Sequence, residues 1–264
     1  MIARGGGGRY TAAMLQYKRV GVTAKAGLDE SDPTVTTIVS ILRSVRELKD
    51  HSIPLLSVNR GAVGFLAETS AAEAESLIPT LLEGGGELEE RTLLHVKVLR
   101  GAEAVFEGIV LNEAVIAQGA IARILSLKAS VGGEELTTFR SDGLILATPT
   151  GSTAYSLAAG GPIVHPRLSA IILTPLNPHS FSQKPLVIPG TLAVEVEVLK
   201  KENKYVDSEV NLTLDGQRYI PLQAKDRVVV TLNGKSVKFL RRRGDTFFAT
   251  LRTKLKWGER PTED

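Results

Sequence analysis

The chain has 264 residues, 43% of them hydrophobic, a formal net charge of +3 and no cysteine. That length and apolar content fit one large or two modest domains with a sizeable core. They exclude a disulfide framework, a thiolate metal site and a cysteine nucleophile; the small charge excess does not argue for nucleic acid, and no apolar run is long enough to span a bilayer.

Residues 1–17 hold Arg4, Arg9 and the four glycines Gly5–Gly8 but no apolar stretch of signal-peptide length, and read as a disordered extension. The glycines lack the Gly-Lys-Ser/Thr ending of a phosphate-binding loop. From Asp32 to Asp50, Val35, Ile38, Val39, Ile41, Leu42, Val45 and Leu48 recur largely at helical spacing, which predicts one amphipathic helix with Asp32 as cap and Pro33 in its first turn. A strand near Ile53 and a helix over Ser70–Leu82, leaving through Glu83-Gly84-Gly85-Gly86, complete an α/β pattern. Beyond Leu93 the chain turns to strands, predicted at Leu94–Leu99, Ala104–Ile109, Ala114–Ala117, Ile124–Val131, Leu144–Ala147, Ala170–Thr174, Leu186–Val187, Ala193–Leu199, Glu209–Leu214 and Arg227–Leu232. Asn233-Gly234 reads as a two-residue hairpin turn between Val228–Leu232 and Ser236–Leu240. Arg241-Arg242-Arg243 reads chiefly as a solvated strand end, with an anion contact as the minority reading.

Phe139–Pro162, FRSDGLILATPTGSTAYSLAAGGP, is the most informative stretch. Asp142-Gly143 precede the short apolar run Leu144–Ala147, which suits a buried strand; Pro149 and Gly151 end it. Ser152 or Thr153 could cap a short helix over Thr153–Ala159, stopped by Gly160, Gly161 and Pro162. Two readings stay open on local physics: a polar ligand with ribose or phosphate groups at a hydroxyl-rimmed helix start, or a strand-turn-helix corner with a capping serine.

The same stretch closely resembles the long signature of NAD kinases, which phosphorylate NAD to NADP. Further matches follow in order: Ile53–Asn59 with Gly61, Gly64, Phe65 and Leu66; Leu111-Asn112-Glu113; Thr174-Pro175; Pro178-His179-Ser180; and Leu214-Asp215-Gly216-Gln217. The resemblance covers roughly Lys18 to the C-terminus. By it, Lys18–Ala24 is similar to the family's first strand and the helix over Asp32–Asp50 to its first helix. The family's Gly-Gly-Asp-Gly-Thr turn, whose aspartate is taken to activate the acceptor hydroxyl, has no counterpart here, so a strand-turn-helix unit reads as missing. The expected fold is α/β plus all-β: a small truncated Rossmann-like domain over 18–90, to which the tail 246–264 is expected to return, and a larger β-rich domain over 91–245.

The resemblance also implies a site. Asn112 and Glu113 would read an adenine edge and ribose hydroxyls, with a turn or capping role as the alternative. Arg123 and Arg140 would lie near the dinucleotide, or be surface arginines. Asp142 is similar to a carboxylate near the nicotinamide ribose that the family often contributes across a subunit interface. Thr153, Ala154 and Tyr155, with Ser156, Leu157 and Ala158, form the segment that grips one end of the ligand; Ala158 stands where the family often has serine. Gln217 matches a late polar contact. No catalytic residue is assigned; Asp215 or Glu113 would be the base if either approached the 2′-hydroxyl. None of His51, His95, His165 and His179 has metal-ligand spacing. The implied ligands are NAD, ATP or polyphosphate as donor, and magnesium or another divalent cation. A cytoplasmic homo-oligomer (dimer or tetramer) is expected, with no nucleic-acid or membrane partner. The competing expectation is a catalytically impaired NAD(P)-binding protein or partner subunit.

Overall fold

The computed structural model describes residues 21–23, 41–48, 50–59, 65–66, 69–119, 124–199 and 209–257. In chain order these form β1 (Gly21–Thr23), α1 (residues 41–47), β2 (Leu55–Asn59), β3 (Thr69–Ser70), α2 (Ala71–Thr80), β4 (Gly86–Arg100), β5 (Glu103–Val110), β6 (Glu113–Gln118), β7 (Leu125–Val131) and β8 (Glu134–Ser141). There follow β9 (Gly143–Ala147), α3 (Tyr155–Ala158), β10 (Ala170–Leu176), β11 (Leu186–Pro189), β12 (Val194–Val198), β13 (Val210–Leu214), β14 (Arg218–Leu222), β15 (Arg227–Arg242) and α4 (Phe247–Leu255). Two units result, Met1–Thr37, Ile53–Glu89 and Phe239–Asp264 forming one, and Ile38–Ser52 with Glu90–Lys238 the other. The fold is an α/β part plus a β-rich part.

In the first unit β1, β2 and β3 run parallel, with Gly21 opposite Leu55 and Val58 opposite Thr69. Because β1 bonds directly to β2, no strand stands between them among the described residues, and β1 meets the backbone groups of β2 that would otherwise be unpaired. Ser70 starts α2 by accepting the Glu73 N–H and donating to the Glu73 carboxylate, each at 3.3 Å, a reciprocal cap. The helix stops at Thr80, two residues short of the predicted end; Leu81–Gly85 form a wider turn that leaves through the glycines. Leu56, Leu81 and Leu240 make the core, with Leu77, Ile78 and Leu82 against it. Phe65 and Phe247 bring their rings to 6.3 Å. Arg241 is 9% exposed and donates to Glu89 at 3.0 Å. The solvated strand end expected of the arginine cluster therefore fails at Arg241, because a partly buried carboxylate sits opposite it.

The second unit is built on a six-stranded antiparallel sheet in the order β11-β10-β9-β6-β13-β14. A second set of antiparallel pairs joins β8 to β7, β7 to β12 and β12 to the first part of β15. Alternate residues from both sets share one apolar core, among them Leu125 and Leu127, Val194 and Val196, Val228 and Val230, Ala114 and Ile116, Leu144 and Leu146. At β9 the other face is buried too: Ile145, Ala147, Val115 and Ile172 pack with Val164. All five residues of β9 are buried, as its unbroken apolar run predicts.

β8 and β14 escape sequence reading because they are edge strands whose residues are largely exposed, and β14 carries Pro221. The hairpin expected at Asn233-Gly234 is a correction: β15 continues through it as one strand of 16 residues. Before it Val228 and Val230 are buried in alternation; after it Val237 is buried and then Phe239, Leu240 and Arg241 in succession, so the simple alternation ends there. Gly234 sits there at φ 68°. A side chain at that φ is strained although nothing crowds the position. Gly234→Ala is expected to lose about 1 kcal/mol in chemical denaturation with no loss of secondary structure by circular dichroism.

Candidate functional site

Asp215-Gly216 form the tight turn between β13 and β14, with φ of 48° and 65° and the Gln217 N–H closing on the Leu214 carbonyl at 2.9 Å. Two positive φ angles match the twist of the flanking strands, which is why an Asp-Gly pair serves here. The turn aims the Asp215 carboxylate at the chain before β6. Its oxygens accept the N–H groups of Leu111 at 3.0 Å, Asn112 at 2.8 Å and Glu113 at 3.1 Å, while the Asp215 N–H donates to the Glu113 carbonyl at 2.9 Å. Burial pushes the Asp215 carboxyl up to about 6, against the three N–H bonds and the Arg46 charge, which pull it down. Both Asp215 oxygens thus accept backbone N–H groups, and the carboxylate braces the chain around Leu111–Glu113.

The loop after β9 is tied to this corner. Thr148 donates its N–H to the Asn112 carbonyl at 2.8 Å and its hydroxyl to the Leu111 carbonyl at 2.6 Å, while accepting the Gly151 N–H at 3.0 Å. Gly151 passes so close that a Cβ there would fall inside the Asn112 carbonyl group. Ser152 is not a helix cap. Its hydroxyl donates to the Pro149 carbonyl at 2.6 Å and accepts the Val164 N–H at 3.0 Å, closing the loop on itself. The predicted helix reduces to a single 3-10 turn, Gly151–Thr153, and the four residues of α3, whose start at Ala154 has no side-chain cap. Ser156 joins Thr174 of β10 at 2.9 Å and so pins α3 to the sheet.

Two polar atoms on these tied segments are buried with no hydrogen-bond partner among the described residues: Glu113 Oε2 and Thr150 Oγ1. Burial, and then the nearby Asp215 charge, push the Glu113 carboxyl up to about 8. Beside them Thr153 and Ala154 are half-buried and Tyr155 and Ala158 exposed. Gln217 accepts from Arg46 of α1 at 3.0 Å. Asn112 and Glu113, the Thr153–Ala158 segment and Gln217 therefore stand on three segments, of which the first two are joined by the Thr148 bonds and the first and third by Asp215.

Residues 111–242 match the ATP-NAD kinase C-terminal domain family, and residues 39–86 the ATP-NAD kinase N-terminal domain family. The NAD kinase of Geotalea daltonii is 40% identical over 224 residues, which are 85% of this chain and 76% of that protein. The chain belongs to the NAD kinase family. The NAD kinase of Geobacter sulfurreducens is 41% identical over 221 residues, 84% of this chain and 76% of its own length. Among solved structures, yeast NADH kinase complexed with NADH superposes with a TM-score of 0.74 at 26% identity, over 84% of this chain and 64% of that one. An NAD kinase from Archaeoglobus fulgidus in complex with ATP gives 0.66 at 27% identity, over 81% of this chain and 80% of that one.

Not every residue expected from the NAD kinase resemblance lies at this corner. Asp142 precedes β9 at the end opposite the Thr148 loop, its carbonyl accepting the Gln118 N–H at 3.4 Å and its carboxylate the Asn177 amide at 2.9 Å. Five strand residues separate it from Thr148, about 20 Å along the strand. Arg140 lies at that far end, its carbonyl accepting from His179 and its N–H donating to Gln183. Arg123 lies outside the described residues, as do Gly61 and Gly64. Sequence reasoning passed over Arg46, whose only signal is its place beside the apolar stripe of α1, and over the bracing done by Thr148 and Ser152.

Gly151→Ala is expected to lose about 2 kcal/mol or more in urea denaturation, because backbone rather than a flexible side chain blocks the new methyl. A second expectation concerns pH. The folded Glu113 holds a proton that the unfolded chain releases, so its favourable contribution is full below about 4.5 and is lost as pH rises to about 8. The Tm difference between wild type and Glu113→Gln should therefore fall steadily from pH 5 to 8 in thermal melts.

Proposed function

We propose that this chain binds NAD at the Asn112–Glu113 corner and phosphorylates its adenosine 2′-hydroxyl to give NADP, with ATP or polyphosphate as donor. The observation that carries this is the pair of buried polar atoms without partners, Glu113 Oε2 and Thr150 Oγ1. A native protein leaves such groups unpaired mainly where something else completes them. A carboxyl that keeps its proton and a hydroxyl can each both donate and accept, which suits the hydroxyls of a ribose.

In this reading Asn112 and Glu113 take the adenosine, the Thr153–Ala158 segment supplies one hydroxyl, backbone groups and the open ring of Tyr155, and Gln217 adds a polar contact. Arg140 lies near the dinucleotide, and Asp142, at the far end of β9, acts on the nicotinamide ribose of a second copy's ligand in a homo-oligomer. Among the described residues no group of three or more His, Asp or Glu side chains could hold a metal ion. The divalent cation is therefore taken to arrive with the donor phosphates, as magnesium commonly does. Positioning of hydroxyl and phosphoryl group then carries most of the rate.

A second reading is favoured by one observation: no Gly-Asp-Gly sequence occurs anywhere in the chain. Loss of the base alone lowers rate by about 2–4 orders of magnitude. The chain would then be an NAD(P)-binding protein or partner subunit of low activity. The two readings separate when NADP formation from NAD, ATP and magnesium is followed with an NADP-specific dehydrogenase, beside calorimetric NAD binding. Turnover abolished by Asn112→Ala supports the kinase. Binding abolished by Asn112→Ala, without turnover, supports the second reading, and absence of both sinks the dinucleotide site.

A further inference from the structure

α1 carries one residue that reaches the site by a route the ligand reading does not use. Arg46 follows Ile41, Leu42 and Val45, which are buried, and its guanidinium lies at the edge of that face. Its NH2 donates to Gln217 Oε1 at 3.0 Å across 171 residues of sequence, inside one compact unit. The bond therefore ties α1 to the Asp215-Gly216-Gln217 turn. That turn is the one whose carboxylate organises three consecutive N–H groups at Leu111, Asn112 and Glu113.

We propose that Arg46 is a positioning residue that holds the Asp215–Gln217 turn, and through it the Asn112–Glu113 corner, in the geometry that receives the dinucleotide. The last step rests on the function proposed above; the link from Arg46 to the turn does not. Two effects act together. The hydrogen bond fixes the Gln217 side chain and hence the exit of the turn. The positive charge favours the ionised form of Asp215, and an ionised carboxylate makes stronger bonds to backbone N–H groups than a neutral one. Among the described residues the charged groups facing Asp215 are Arg46 from α1 and Glu113 from β6; the first favours its ionised form, and the second is itself disfavoured as an anion by Asp215. As Asp215 takes up a proton, the corner loses its charge-assisted bonds and NAD affinity drops. Removing Arg46 moves that drop to higher pH.

The test uses the full chain as wild type, Arg46→Met and Arg46→Lys. Two quantities are read: the 13C titration of the Asp215 side-chain carboxyl, assigned with Asp215→Asn, and calorimetric NAD affinity between pH 5.5 and 8.5. Arg46→Met is expected to raise the Asp215 midpoint, to weaken NAD binding about tenfold at neutral pH, and to shift its acid limb upward. Arg46→Lys is expected to keep the midpoint near wild type and restore part of the affinity, which a purely packing role would not do. An unchanged midpoint and unchanged affinity in Arg46→Met overturn the proposal. A raised midpoint with unchanged NAD binding overturns the positioning role and leaves only electrostatics. If wild type binds no NAD while the midpoint still rises in Arg46→Met, the dinucleotide reading fails and the Arg46 link to the turn stands. Should Arg46→Met unfold, Arg46→Gln replaces it, with the same outcomes.

Discussion

One buried carboxylate organises the candidate site. Asp215 gathers three successive N–H groups that the chain before β6 would otherwise leave without acceptors, and it does so from a turn that only an Asp-Gly-like pair adopts without strain. Each bond to an ionised group contributes about 1.5–3 kcal/mol, and together with the Arg46 charge they offset only part of the desolvation, which still leaves the Asp215 carboxyl raised. The arrangement also has an electrostatic consequence next door. Burial first, and then the Asp215 charge, make Glu113 hard to ionise, so two carboxyls 102 residues apart in sequence differ in state: one braces backbone, the other keeps its proton.

The bracing continues outward in a chain of small groups. Thr148 ties the loop after β9 to the same corner, Ser152 closes that loop, and Ser156 anchors α3 to β10. Hydroxyls that look in sequence like a phosphate-binding rim are thus largely spent on holding shape. What remains uncommitted is narrower than the motif suggests: the buried Glu113 Oε2 and Thr150 Oγ1, which lack partners among the described residues, and the exposed ring of Tyr155. Asp142 and Arg140 lie at the other end of β9 from the Thr148 loop.

Much of this was legible beforehand, for reasons that differ by element. β9 was readable because it is buried on both faces and so shows an unbroken apolar run. The Asn-Glu and Asp-Gly-Gln elements were readable as motifs, yet their mutual contact was not, because the pairing is a backbone-to-carboxylate contact across about a hundred residues that leaves no periodicity. Ser152 was misread as a cap because local chemistry cannot tell a helix N–H from the Val164 N–H twelve residues on. β8 and β14 were missed since edge strands need no apolar alternation. Arg46 was invisible because an arginine beside an apolar helix stripe ordinarily marks nothing but the solvent boundary.

The length of β15 has an evolutionary side. Val228 and Val230 of this strand face the apolar core of the second unit, and Gly234 follows them at a φ of 68°. Strands have a strict two-residue side-chain period, so a one-residue insertion or deletion on either side of that point would turn every following side chain over. Length changes in this strand are therefore tolerable only in pairs.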